Sequence, residues 1–306
     1  MSLTIPEITK YLDEINIHYQ YTGTNDLLID NYCMLSEPKM NCITWIKEVK
    51  DYNFSNVDSK LKMLFITNYF DKINLYNSYN FIECDKPKET YFEILKKFFV
   101  APDERKIERD SIIETECMGK NASIGHHCFI CREVTIGNNV TIKNNVVIQC
   151  PTYIGDDTII WDGVVIGADG YGYFRKDDGI NYKVPHLGGV KIGKNVEIGS
   201  NTTIARGTLG DTSIGNNVKI GVLCCISHNV VIEDNVMLTA SVTLAGSSVL
   251  KENVYVAPGA VILNQISVGK NAFITAGAIA MKDVKENTSI YCDLDRVHRV
   301  NKDNIP

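Results

Sequence analysis

Residues 123–148 read SIGHHCFICREVTIGNNVTIKNNVVI. Within them Ile124, Ile130, Ile136, Ile142 and Ile148 recur every six residues. A hexapeptide period is the signature of a parallel β-helix. Each hexad makes one short strand and one corner, and three hexads make one coil of about 18 residues, with the aliphatic pointing inward onto its counterpart one coil away. The tight corners call for Gly, Asn or Asp, and NN, DN and KN recur there. The fourth residue after the aliphatic is again small or β-branched, as at Cys128, Val140, Val146, Val196 and Val218.

The same beat extends in both directions. It starts at Ile112 and Met118 and continues through Ile154, Ile160 and Ile166. After a break it resumes at Ile192, Ile198 and Ile204, slips by four residues, and runs from Ile214 to Ile274. About 24 hexads predict roughly eight stacked coils that bury one continuous core.

Composition narrows the function classes. The chain has 306 residues, 44% hydrophobic and 22% charged, with a net charge of −6. It contains no Lys/Arg cluster of the kind that grips nucleic acid. No apolar run reaches the roughly 18 residues that span a bilayer, and MSLTIPEITK lacks a signal-peptide pattern, so a cytoplasmic protein with no transmembrane segment is expected. Of the ten cysteines, only Cys128 and Cys131 form a CxxC, and no second pair follows at a metal-site spacing. No metal is expected; cysteine serves as a small apolar residue in a reducing compartment.

Residues 1–105 have no six-residue beat and read as a small α/β domain. In ETYFEILKKFF the apolar residues Tyr91, Ile94, Leu95, Phe98 and Phe99 recur at helical spacing, with Glu89 and Thr90 where the helix would begin. Pro102 and the charged PDERKIERD mark a junction. The β-helix then occupies 106–280 and a short closing tail 281–306. Residues 167–189, GADGYGYFRKDDGINYKVPHLGG, leave the beat and read as an ordered functional flap rich in Gly and Tyr.

The chain has six histidines. His228 lies two residues after Ile226, at a corner, and the other residues at this phase of the hexad are Asn138, Asn144, Asp156, Asn216 and Asp234. By phase alone, a polar corner residue needs no function. Eighteen residues on, one coil away, is Gly246, and one coil further is Asn264 with Gln265 beside it. His126 and His127 fall on an early corner and read as solvated, His186 lies in the flap, and His298 lies in the tail.

The hexad beat resembles the left-handed β-helix of the hexapeptide-repeat acyltransferases, and the left hand comes from that resemblance. GADGYGYF, VPHLGGVKIGKNVEIGSNTTIARGTLGDTSIG, CCISHNVVI and TLAGSSVL further resemble the UDP-3-O-acylglucosamine N-acyltransferase family of the lipid A pathway. This resemblance implies transfer of an acyl group from a thioester donor, acyl carrier protein or CoA, to the amine of a UDP-linked amino sugar. It implies a homotrimer with sites between neighbouring prisms, and no cofactor beyond the thioester co-substrate. His228 is the implied general base; amine attack on a thioester needs a group that titrates near neutrality to take the proton. Gly246 is the implied oxyanion donor. The implied substrate contacts are Trp45 and Tyr52 around the uracil, Asp169, Tyr171 and His186 in the flap, and Asn229, Asn264 and Gln265 near the base.

The chain departs from that family in places. Gln265 replaces a second active-site histidine, and Ala205 replaces the Asp of a D-R-G stretch, with Arg206 and Gly207 retained. The C-terminal AGAIAMKDVKENTSIYCDLDRVHRV resembles the tail of acetyl-CoA-dependent sugar acetyltransferases. Two alternatives follow: an acetyl-CoA-dependent nucleotide-amino-sugar N-acetyltransferase for surface polysaccharide, and a non-catalytic trimeric β-helix scaffold.

Overall fold

A computed structural model describes residues 2–47, 59–69, 79–101 and 106–292. The chain divides into two compact units, Met1–Asp103 and Glu104–Pro306.

In the second unit the hexads become three parallel sheets, the faces of a triangular left-handed β-helix. The first face runs from Ile112–Ile113 to Ile279–Ala280 in nine strands. The second runs from Val134–Ile136 to Ser267–Val268 in seven, and the third from Ser123–Ile124 to Ser289–Ile290 in nine. Isolated bridges at Met118–Ile136 and Val268–Val284 add a rung at each end of the second face, so the stack is nine rungs deep rather than eight. The inward aliphatics pair directly, as in Ile204↔Ile226 and Ile226↔Leu244, and almost all are fully buried. Residues 281–292 continue the stack, with Ser289 pairing Phe273.

The first beat differs from the sequence reading. Ile112 points outward at 61% exposure, and Ile113 takes the inward place against Ile130. The terminal coil has no neighbour above it to force the inward register.

The corners explain the small and amide residues. A Cβ on Gly155 would lie 2.5 Å from the backbone carbonyl of Gly193 in the next coil, a distance no side chain tolerates. One column of left-handed residues runs Asn121, Asn139, Asp157, Asn195, Asn217, Asn235, Asn253 and beyond, all with φ of 54–62°. Asn is among the few residues that adopt this conformation readily. Its side chains bond from coil to coil, for example Asn217 Nδ2 to Asn235 Oδ1 at 2.8 Å.

A second recurring device caps the backbone. At the position two after the aliphatic, an Asn or Asp carboxamide or carboxylate accepts the N–H of its counterpart one coil earlier. Asn138 N–H donates to Asp156 Oδ1 at 2.8 Å, Lys194 N–H to Asn216 Oδ1 at 2.9 Å, and Asn216 N–H to Asp234 Oδ1 at 2.7 Å.

The interruptions of the beat fall on one corner, between the first and second faces. The flap leaves after Val165–Ala168 and returns at Val190–Ile192. One coil later the four-residue slip is an insert between Thr203–Ala205 and Thr212–Ile214. One coil later again, between Cys225–Ile226 and Val231–Ile232, is His228.

The first unit is a five-stranded sheet in the order Gln20–Thr22, Asn80–Glu83, Leu64–Thr67, Cys42–Trp45, Asn31–Tyr32. All pairings are parallel except that of the Gln20–Thr22 edge. Two helices accompany it, Ile5–Glu14 and Pro87–Phe98. The second begins two residues before Glu89 because Pro87, with its preset φ, occupies the first turn.

Candidate active site

The site is built at the corner where the interruptions stack. His228 is half-buried there, and two glycines border its ring. A Cβ on Gly246, one coil on, would lie 2.7 Å from both Cε1 and Nε2 of His228. A Cβ on Gly170, in the flap, would lie 2.6 Å from its Cδ2. Only glycine allows either strand of backbone so near the imidazole.

The insert sets the tautomer. Asn229, left-handed at φ 59°, accepts at Oδ1 from the N–H and the hydroxyl of Thr208, at 3.1 and 2.8 Å. Its Nδ2 donates to Gly210 O at 3.1 Å. The amide orientation is therefore fixed with Oδ1 as acceptor. His228 Nδ1 lies 3.1 Å from that same oxygen, so Nδ1 carries the proton and Nε2 keeps its lone pair. Nε2 is the nitrogen that faces Gly246.

Gly246 also leaves donors open at its corner, which is not the corner of the Asn138, Asn216 and Asp234 caps. It has no side chain to accept the His228 N–H, and among the described residues neither that N–H nor the Gly246 N–H has an acceptor. Gly246 is buried, and its carbonyl accepts Gln265 N–H at 3.0 Å. A bare nitrogen base thus sits beside an uncapped backbone donor.

The flap closes over this corner as a hairpin, Tyr173–Arg175 against Asn181–Lys183. Its return limb is stitched to the insert. Arg206 Nε donates to Gly188 O at 2.7 Å, Leu187 N–H to Thr208 O at 2.6 Å, and Gly189 N–H to Asp211 Oδ1 at 2.7 Å. Lys191, beside Asp211, holds that carboxyl below the usual carboxylate range. Lys183 does the same for Asp169, which in turn raises Lys183.

The geometry places the expected substrate contacts as follows. His186 is 4% exposed, its Nδ1 donates to Val184 O at 2.9 Å, and its Nε2 is closed to solvent, so it packs inside the flap. Asn229 bonds Thr208, Gly210 and His228. Asp169 is paired with Lys183 inside the flap. Tyr171 is 87% exposed with its ring 5.0 Å from Tyr173. Asn264 and Gln265 are exposed one coil beyond Gly246.

In the first unit, Trp45 is half-buried at the end of its strand and lines a cavity of about 480 Å³ with Tyr32, Cys33, Lys47, Tyr91 and Phe92. The cavity lies at the carboxyl ends of parallel strands, the usual ligand position in such sheets. Trp45 also packs against the core of the unit. Tyr52 lies outside the described residues.

The other histidines stand apart. His126 and His127 are exposed, their Nδ1 atoms 3.0 and 3.3 Å from Asp110. Cys128 and Cys131 are buried in the core, and among the described residues no cluster of three or more His, Cys, Asp or Glu could hold a metal ion. Thr208 and Gly170 were not singled out in the sequence. Both stand in stretches that carry the family resemblance, Gly170 in GADGYGYF and Thr208 in TIARGTLGDTSIG.

The chain carries the bacterial transferase hexapeptide (six repeats), matched at residues 133–168 and 211–246. That match falls on the repeats of the β-helix already described. Among curated proteins it is 51% identical over 85 residues to a UDP-3-O-acylglucosamine N-acyltransferase of Thermosynechococcus vestitus, covering 28% of this chain and 25% of that one. It is 50% identical over 94 residues to the protein of the same name from Coxiella burnetii, covering 31% and 28%. The chain thus matches about a quarter of the length of these relatives. Among solved structures, a UDP-N-acetylglucosamine acyltransferase from Campylobacter jejuni is similar at 29% identity and a TM-score of 0.51, covering 58% of this chain and 68% of that one. The corresponding enzyme from Bacteroides fragilis matches at 27% identity and 0.51, covering 58% and 68%.

Proposed function

We propose that the protein is an N-acyltransferase that moves an acyl group from a thioester, on acyl carrier protein or CoA, to the amine of a UDP-linked amino sugar; the acceptor class follows the names of its sequence relatives, UDP-3-O-acylglucosamine N-acyltransferases. The observation that carries this reading is the His228–Asn229–Gly246 arrangement. Asn229 Oδ1 holds the proton on Nδ1, and Nε2 is left to accept one.

The chemistry follows in order. His228 Nε2 takes a proton from the sugar amine as its nitrogen attacks the thioester carbonyl. The carbonyl oxygen gains negative charge, which the uncapped Gly246 N–H is suited to receive. Collapse expels the thiolate, and the proton held on His228 passes to it. The new amide and the free thiol leave together.

Two further features support the substrate classes. The outward positions of the first face, from Phe129 through Val165, Cys225 and Val261 to Ile279, carry no charged side chain. They give an acyl chain an uncharged surface leading into the His228 corner. The Trp45 cavity offers an aromatic face for the uracil, a contact worth about 1–3 kcal/mol. Leu187 and Leu209 stand 68% and 84% exposed at the site corner, apolar surface that neighbouring copies in a homotrimer would cover. Among the described residues no helix is long and apolar enough to cross a membrane, which suits an enzyme of soluble thioesters in the cytoplasm.

The test is a donor assay. The protein is incubated with UDP-3-O-acylglucosamine and either a 3-hydroxyacyl thioester of acyl carrier protein or acetyl-CoA, and free thiol is followed. Acceptor-dependent thiol release is the expected result. Release with acetyl-CoA alone would replace the long-chain donor by CoA, and no release with either would contradict the acyltransferase reading.

A further inference from the structure

His186 is a buried imidazole beside the proposed base, with a nitrogen that nothing satisfies. Its ring centroid is 5.3 Å from that of His228, with the planes at 75°. Nδ1 is occupied by Val184 O, so the neutral ring keeps a bare lone pair on Nε2. That atom is buried without a hydrogen-bond partner. An unsatisfied buried polar atom destabilises a fold, and an apolar ring would fill the space without that penalty.

The direction of Nε2 is informative. A Cβ on Gly170 would lie 3.0 Å from His186 Nε2 and 2.6 Å from His228 Cδ2, so both atoms border one point. Nε2 of His186 and Cδ2 of His228 therefore flank the same stretch of flap backbone at Gly170. His186 Nε2 has almost no exposed surface, and an interaction with a charge is strong in such a setting.

We propose that His186 is a positioning residue that acts through His228: its buried neutral ring holds the base's imidazole in place and stabilises it as it becomes a cation on taking up the substrate proton. This rests on the reading of His228 as the base. The flap thereby takes part in catalysis from behind the base, without touching substrate. Asn229 holds Nδ1 of the His228 ring and the His186 ring packs against it at 75°, while Thr208 bonds both Asn229 and Leu187, the neighbour of His186.

The test compares His186→Phe and His186→Gln in the full-length protein, each alone and with His228→Ala, using whichever thioester the parent turns over. Melting curves report the fold. Phe keeps a ring but removes the nitrogen, whereas Gln returns a polar acceptor. The expected result is a kcat about tenfold lower in His186→Phe at unchanged KM, the size of one lost desolvated contact to a cation. The Gln variant should recover most of that loss, and neither should lower the residual rate of His228→Ala. A kcat within twofold of the parent in His186→Phe, a Gln variant no better than Phe, or a further loss on the His228→Ala background would overturn the proposal. If His228→Ala itself keeps parental turnover, the base assignment fails instead, and the two failures are told apart.

Discussion

His228 shares its phase in the hexad, two residues after the aliphatic, with Asn138, Asn144, Asp156, Asn216 and Asp234, which stand at the other corners of the prism. It differs from them in what surrounds it. Asn216 is capped by Asp234 one coil on, whereas His228 meets Gly246 and keeps its N–H open. Two substitutions separate these roles. Asn229→Ala removes the acceptor that holds the Nδ1 proton, and steady-state kinetics should show kcat lowered at least about tenfold, since the base then spends time in the wrong tautomer. Gly246→Ala puts a methyl 2.7 Å from Nε2, which the ring can relieve only by moving. Turnover should collapse while the melting temperature changes little, because the clash is with a half-buried side chain at a corner. This local chemistry was only partly legible. Spacing placed Gly246 beside His228, but the burial of His186 and the engagement of Asn229 depend on how the flap and insert return, which no period encodes.

The elements divide into a regular part and an irregular one. The regular part was legible because one coil's geometry is repeated, and each inward aliphatic must meet another. Ile226, 1% exposed, stacks between Ile204 and Leu244. Ile226→Ala should lower stability by about 2–5 kcal/mol in denaturant unfolding. The missed elements had local signals. Thr4 and Glu7 form a capping box that starts the Ile5–Glu14 helix, and Pro87 marks the true start of the second. The irregular part is the flap, tied down by Asp169 and Lys183. Asp169 is depressed by Lys183, so its contribution is present above the ordinary carboxylate value of about 4 and lost as pH falls below it. Lys183 is raised, so its contribution persists below about 10.5 and is lost as pH rises beyond that. Limited proteolysis within 167–189 should be constant from about pH 5 to 9 and should quicken near pH 3; faster cleavage between pH 5 and 9 would contradict the pairing.

At the scale of the whole molecule, the chain combines a β-helix bearing one irregular corner with a separate sheet unit bearing a Trp45 cavity. If that cavity takes uracil, UDP should quench tryptophan fluorescence, and Trp45→Ala should raise the KM for the sugar nucleotide while leaving kcat near the parental value. The other tryptophan, Trp161, donates to Glu197 on the β-helix, so loss of the quench in Trp45→Ala assigns the signal. The proposed reaction class was legible as a resemblance because the residues that carry the resemblance stand in short runs such as CCISHNVVI and TLAGSSVL. The sugar and the acyl length were not, because they depend on surfaces contributed by several coils at once.

Everything chemical in this picture passes through one nitrogen. The direct measurement is steady-state turnover of His228→Ala with the thioester donor and UDP-linked amino sugar, alongside its unfolding curve. Loss of at least about 10² in kcat with the fold intact is the expected result. Turnover near that of the parent protein would contradict the assignment of His228 as the base.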